Sequence, residues 1–286
     1  MSVGERAAVG RTAATLLIAM AAAAPALAQP AWFSPGDLAG HFAQSAANPD
    51  LMRAELEALH GPVLDDIWRV MERQMVSVVR NPGYADYVYT VGAPFVSMGM
   101  TINDLTTVVT QVELIGATNG ILRLPQKRQE ALMRVSRDVF RWMGETSPEA
   151  CTAAILGTDV MAAARDEFAF VTSQSPAYVE AYYTVIYAAL AAEIAGTPDM
   201  RRLEMEMDDL APFDAYEAAV VGLVEASPDG EEIIRALTGG TTETPAVLCE
   251  FGALTIDAIF TLGPADRQSV ILGILGEAAG MALAPD

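Results

Sequence analysis

The sequence predicts an all-α protein: a single multi-helix, bundle-like domain behind a cleaved signal peptide. Three observations carry that expectation. Apolar residues recur at helical spacing along most of the 286-residue chain. Helix starts are marked repeatedly by a capping residue followed by proline, as in Ser34-Pro35, Asn48-Pro49, Ser147-Pro148, Ser175-Pro176 and Thr244-Pro245. No run of convincing length alternates apolar and polar residues with the period of two that a half-buried strand needs.

Residues 1–28 read as the signal peptide. Arg6 and Arg11 make a weakly basic start, Ala13 to Ala24 is apolar, Pro25 breaks the helix, and Ala26-Leu27-Ala28 gives a small-x-small cleavage pattern. No cysteine follows the apolar stretch and no Arg-Arg pair precedes it, which argues against lipoprotein processing and twin-arginine export. The expected mature chain is 29–286, one all-helical domain, and the expected compartment is the bacterial periplasm.

Within it, Ser34-Pro35 opens a helix to about Ala47, and Asn48-Pro49 opens another that stops at His60-Gly61-Pro62. From Pro62 to Arg80, Val63, Ile67, Val70, Met71 and Met75 share one face. Asn81-Pro82-Gly83 is a break. Tyr84 to Met100 is expected to be a short helix followed by a loop, because Gly92 and Pro94 interrupt it. Helices are then expected from Asn103 to about Leu122, from Leu124 to Gly144, and from Ser147-Pro148 with a weakening at Gly157-Thr158 before Asp159 to Thr172.

Ser175 to Gly196 is capped at both ends and carries only Glu180 and Glu193 as charges, so it predicts a central core helix. Its uncharged run, Ala181 to Ala192, extends only about 18 Å, too short for a bilayer. No stable membrane span is expected in the mature chain. Further helices are expected at Pro198 to Leu210, Phe213 to Ala226, Pro228 to Leu237, Pro245 to Leu262 and Pro264 to Leu283.

Charge is uneven. Residues 29–141 hold ten basic and twelve acidic side chains, and residues 142–286 hold five and twenty-four. A subdivision near residues 144–147, where this balance changes, is a candidate boundary. The acidic excess repels phosphate backbones and anionic headgroups, which excludes nucleic acid as an expected partner.

Cys151 and Cys249 are the only cysteines, and each lies in the first turns of a helix opened by a cap residue and proline. An even count in an exported chain predicts a disulfide between them. Separate core thiols are the alternative, and a nucleophilic thiol lacks a histidine base with a recognisable motif. His41 and His60 have no zinc-helix or Cys/His-cluster spacing. Met98-Gly99-Met100 and Met205-Glu206-Met207 read as gap-filling core methionines rather than copper ligands, since helical residues two apart diverge. For the same reason Asp65-Asp66 and Asp208-Asp209 do not suggest a catalytic dyad.

Tyr178, Tyr182, Tyr183 and Tyr187, with Tyr84, Tyr87 and Tyr89, could line a pocket, but ordinary packing is favoured because no convergent charge is visible. Gly239-Gly240 is a turn, and no nucleotide loop or nucleophile motif occurs. No catalytic, metal-binding or cofactor-binding residues and no cofactor are expected. The expected role is non-enzymatic: binding an unknown protein partner, or structural support. The alternatives are a hydrolase whose site is assembled from distant residues, or a carrier of a small apolar ligand.

Overall fold

The computed structural model describes residues 34–97, 105–155, 160–201, 210–238 and 246–279. They form thirteen α-helices, and no strand occurs among them. The helices are α1 (Pro35–Ala47), α2 (Pro49–His60), α3 (Asp65–Val79), α4 (Tyr84–Ser97), α5 (Leu105–Ile121), α6 (Gln126–Thr146) and α7 (Pro148–Ile155). They continue as α8 (Val160–Thr172), α9 (Pro176–Ala195), α10 (Ala211–Ala226), α11 (Gly230–Leu237), α12 (Ala246–Thr261) and α13 (Pro264–Ala278). The all-α expectation is met. The signal peptide lies outside the described residues.

The chain divides into two compact units. One contains the described residues of Pro125–Val171 and Arg201–Asp286, and the other those up to Leu124 together with Thr172–Met200. Residues 144–147 lie inside the first of these, at the α6–α7 junction.

The first unit is organised around α12, which packs against α6, α7, α10, α11 and α13. Every residue of α12 from Val247 to Ile259 is buried except Glu250 and Asp257. Asp257 accepts from Arg137 Nη1 at 3.2 Å and Arg141 Nη2 at 2.5 Å, both on α6, so its charge is paired at the helix rim. Gly252 lies against the Phe140 ring so closely that a side chain there would overlap it. At the end of α12, Arg267 donates to the carbonyls of Phe260 and Leu262, satisfying backbone groups that a terminating helix leaves free.

In the second unit α9 packs against α5 and α3, and α4 joins α5 and α1. Ser34 caps α1 through a reciprocal box with Asp37, and the Ser175 hydroxyl accepts from the Tyr178 amide to start α9. Gly196 ends α9 in the left-handed region at φ +65°, which glycine adopts without a Cβ penalty.

Four expectations change. First, α9 is not enclosed all round: Val179, Tyr183, Ala189 and Leu190 are buried, while Ala181 and Thr184 are exposed. Apolar content marks a helix as packed but does not count its neighbours, and α12 is the more enclosed one. Second, α4 runs unbroken through Gly92 and Pro94 to Ser97, because Val88 and Phe95 are anchored in the core and tertiary packing outweighs the local penalty.

Third, α3 begins at Asp65 rather than Pro62. Arg53 donates to the Val63 carbonyl and Glu57 accepts from its amide, which holds residues 61–64 outside the helix. Fourth, residues 197–201 are not helical. Arg123 Nη1 donates to the carbonyls of Gly196 at 3.2 Å and Pro198 at 2.9 Å, fastening this segment to the end of α9.

Candidate functional site

From Leu105 to Ile121, α5 carries one ionisable side chain, Glu113. Gly116 and Gly120 follow it at three and seven positions, which places all three on one face of the helix. That face meets α9. A Cβ at Gly120 would run into the Ala189 backbone carbonyl, and one at Gly116 would crowd Leu190 Cδ1 and the Tyr87 hydroxyl. The carboxyl therefore sits on a seam where two helices approach almost backbone to backbone.

Tyr84 closes the site from α4. It follows the Asn81–Gly83 turn, in which Asn81 Oδ1 accepts from the Gly83 amide at 3.0 Å. Its ring lies 4.7 Å from that of Phe42, in an apolar cluster with Leu38, Val88, Val112 and Leu190, and the residue is only 1% exposed. Its hydroxyl donates to Glu113 Oε1 at 2.5 Å.

This environment sets the electrostatics. Burial raises the Glu113 carboxyl from 4.5 to about 7, against the opposing effect of the Tyr84 hydrogen bond. Burial also pushes the Tyr84 phenol well above its ordinary value, and the Glu113 charge and hydrogen bond push it further. Tyr187 on α9 is raised for the same leading reason, again with the Glu113 charge contributing. Its ring stacks on Tyr183 at 5.6 Å, and Tyr183 in turn meets Tyr182 edge-on at 5.1 Å. Tyr87 is raised by burial first and then by Glu193, with Arg123 opposing. The result is a carboxyl able to take or release a proton near neutrality, beside phenols too weakly acidic to serve as nucleophiles there.

The tyrosines singled out in the sequence thus divide. Tyr84, Tyr87, Tyr89 and Tyr187 meet around one core cluster, and Tyr182 and Tyr183 extend it along α9. Glu113 is the convergent charge that sequence reasoning missed. Its signal was its isolation: a lone acid in a seventeen-residue helix without another charge.

Elsewhere, Cys151 on α7 and Cys249 on α12 stand at disulfide distance, with Cα atoms 5.9 Å apart. His41 lies edge-on to Phe42 at 5.7 Å, and His60 is the last residue of α2. Asp65 pairs with Arg53 at 2.7 Å, whereas Asp66 accepts from the Ile67 amide, so the adjacent acids take different partners. The two Met-x-Met stretches, Asp208-Asp209 and Gly239-Gly240 lie outside the described residues. Among the described residues, no group of three or more His, Cys, Asp or Glu is gathered to hold a metal, and no helix is long and apolar enough to cross a membrane.

No known protein family matches the chain, and comparison with curated proteins and with solved structures returns no match.

Proposed function

We propose that this is an exported, periplasmic helical protein that acts without catalysis, by binding a protein partner or as structural support. The observation that carries this reading is the engagement of its most perturbed carboxyl: the partly buried Glu113 accepts from Tyr84, which is itself buried. The close α5–α9 approach at Gly116 and Gly120 supports a filled core over a ligand chamber at that seam. Export rests on the arrangement of residues 1–28. The acidic excess disfavours nucleic acid as the partner.

A hydrolase is the second reading, and one feature favours it: a carboxyl poised near neutrality is suited to general acid–base work. One experiment separates the two. The full chain is expressed in a bacterium, fractionated and sequenced from its N-terminus. Recovery from the periplasm starting at Gln29, retention of the precursor in Ala28→Arg, and a stoichiometric complex after in vivo cross-linking are expected. Wild-type protein starting at Met1, or a hydrolytic activity abolished in Glu113→Gln, would overturn the proposal.

A further inference from the structure

In the first unit, α10 packs against α11, α12 and α13 and buries Tyr216, Val220 and Val224 on one side. Its opposite side is open. Asp214, Ala218, Val221, Gly222 and Glu225 follow one another at helical spacing, so they share one face, and each is exposed. Leu210 lies four positions before Asp214 and extends that face at the head of the helix. It is 53% exposed, and Val221 is 38% exposed. A Cβ added at Gly222 would meet nothing within 4 Å. The face is therefore an open apolar strip from Leu210 to Gly222, with carboxylates set into it at Asp214 and Glu225.

Those carboxylates lack a cation. The helix α10 contains Asp214, Glu217 and Glu225 and no basic residue. Among the described residues, neither Asp214 nor Glu225 makes an ion pair or a side-chain hydrogen bond. Glu225 stands in the last turn, where the helix dipole opposes a negative charge. We propose that this face of α10 docks a cationic amphipathic helix of a protein partner. Two of its Lys or Arg side chains meet Asp214 and Glu225, and its apolar side chains lie over Ala218, Val221 and Gly222. The inference rests on the partner-binding reading above and supplies the partner's chemistry. Asp214 and Glu225 are eleven positions apart. That is about 16 Å along the helix, so the partner's cations stand about three turns apart. The small residues between them let a second helix approach closely. A second copy is disfavoured as occupant: α10 against α10, parallel or antiparallel, sets carboxylate against carboxylate.

Fluorescence anisotropy with a labelled synthetic helical peptide tests it. Two lysines about three turns apart bracket leucine and alanine on one face of the peptide, and its other face is glutamine. The purified protein should bind this peptide saturably, and the same peptide with glutamate in place of lysine should not bind. Asp214→Asn with Glu225→Gln should weaken binding about fivefold or more. Asp50→Asn with Asp86→Asn removes as much charge from exposed sites on α2 and α4 and should leave binding unchanged. Gly222→Lys should weaken binding about tenfold or more. The open space at that position and the better helix propensity of lysine preserve the fold. No binding by wild type, or equal weakening in the two double variants, would overturn the docking face. So would a wild-type dimer that Gly222→Lys dissolves, since a second copy would then be the occupant. In vivo cross-linking separates the face from the partner-binding reading. A complex that forms equally in Gly222→Lys leaves that reading standing and removes the face, whereas the absence of any wild-type complex removes both.

Discussion

The Tyr84 hydroxyl lies 2.5 Å from the Glu113 carboxylate, joining the first residue of α4 to the middle of α5 across 29 positions of sequence. Both partners are held by what surrounds them: Tyr84 by Phe42 and the apolar cluster, Glu113 by the glycine face that draws α9 close.

That pair makes stability depend on pH in a definite direction. The Glu113 carboxyl is raised from 4.5 to about 7, so between those values the folded chain holds a proton that the unfolded chain has lost. Its contribution is fully present below pH 4.5 and is lost as pH rises through 7. The penalty at pH 8 should reach about 3–4 kcal/mol, from about 1.4 kcal/mol per pH unit between 4.5 and about 7. Urea melts of wild type and Glu113→Gln should therefore differ in slope against pH across this window, with the Gln variant flatter.

Tyr84→Phe keeps the ring and removes the donor. Above pH 7 the carboxylate then has no partner from α4, and the variant should lose about 1–3 kcal/mol. At pH 5, where Glu113 is protonated, the loss should be smaller. An equal loss at both pH values would show that the hydroxyl matters for packing alone.

The helix seam gives a paired test. Gly120→Ala places a methyl against the Ala189 carbonyl and should cost about 1–3 kcal/mol, because backbone rather than a movable side chain must yield. Gly40→Ala, on α1 with nothing within 4 Å of the new methyl, should stabilise by about 0.5–1 kcal/mol through helix propensity. Thermal melts of the two variants should move in opposite directions.

The reach of the sequence varied from element to element. Ser34-Pro35, Asn48-Pro49 and Ser175-Pro176 announced their helices because capping is local chemistry. Pro94 misled, since what carries α4 past it is the burial of Val88 and Phe95 against other helices. The course of the chain between two units at Leu124, Val171 and Met200 depends on long-range contacts that periodicity does not encode. Of the candidate site, the tyrosines were visible as a group. Glu113 was passed over because nothing near it in sequence reveals that Tyr84 and the α9 backbone will meet it.

The cysteine pair was foreseen from compartment and count, and its placement at disulfide distance joins α7 to α12 over 98 positions. In protein purified without reductant, thiol titration should find none free. Reduction should then lower the melting temperature, since a loop of this length is worth about 4–5 kcal/mol in the chain-entropy model. Two titratable thiols would leave Cys151 and Cys249 as packed core residues.

The central claim is that the partly buried Glu113 carboxyl, bonded to Tyr84, holds its proton up to near-neutral pH. Carbon-13 NMR of the Glu113 carboxyl across pH 3 to 9 measures this directly. A titration midpoint near 7, shifted upward in Tyr84→Phe, is the expected result. A midpoint in the ordinary carboxylate range near 4.5, unmoved by Tyr84→Phe, would contradict it.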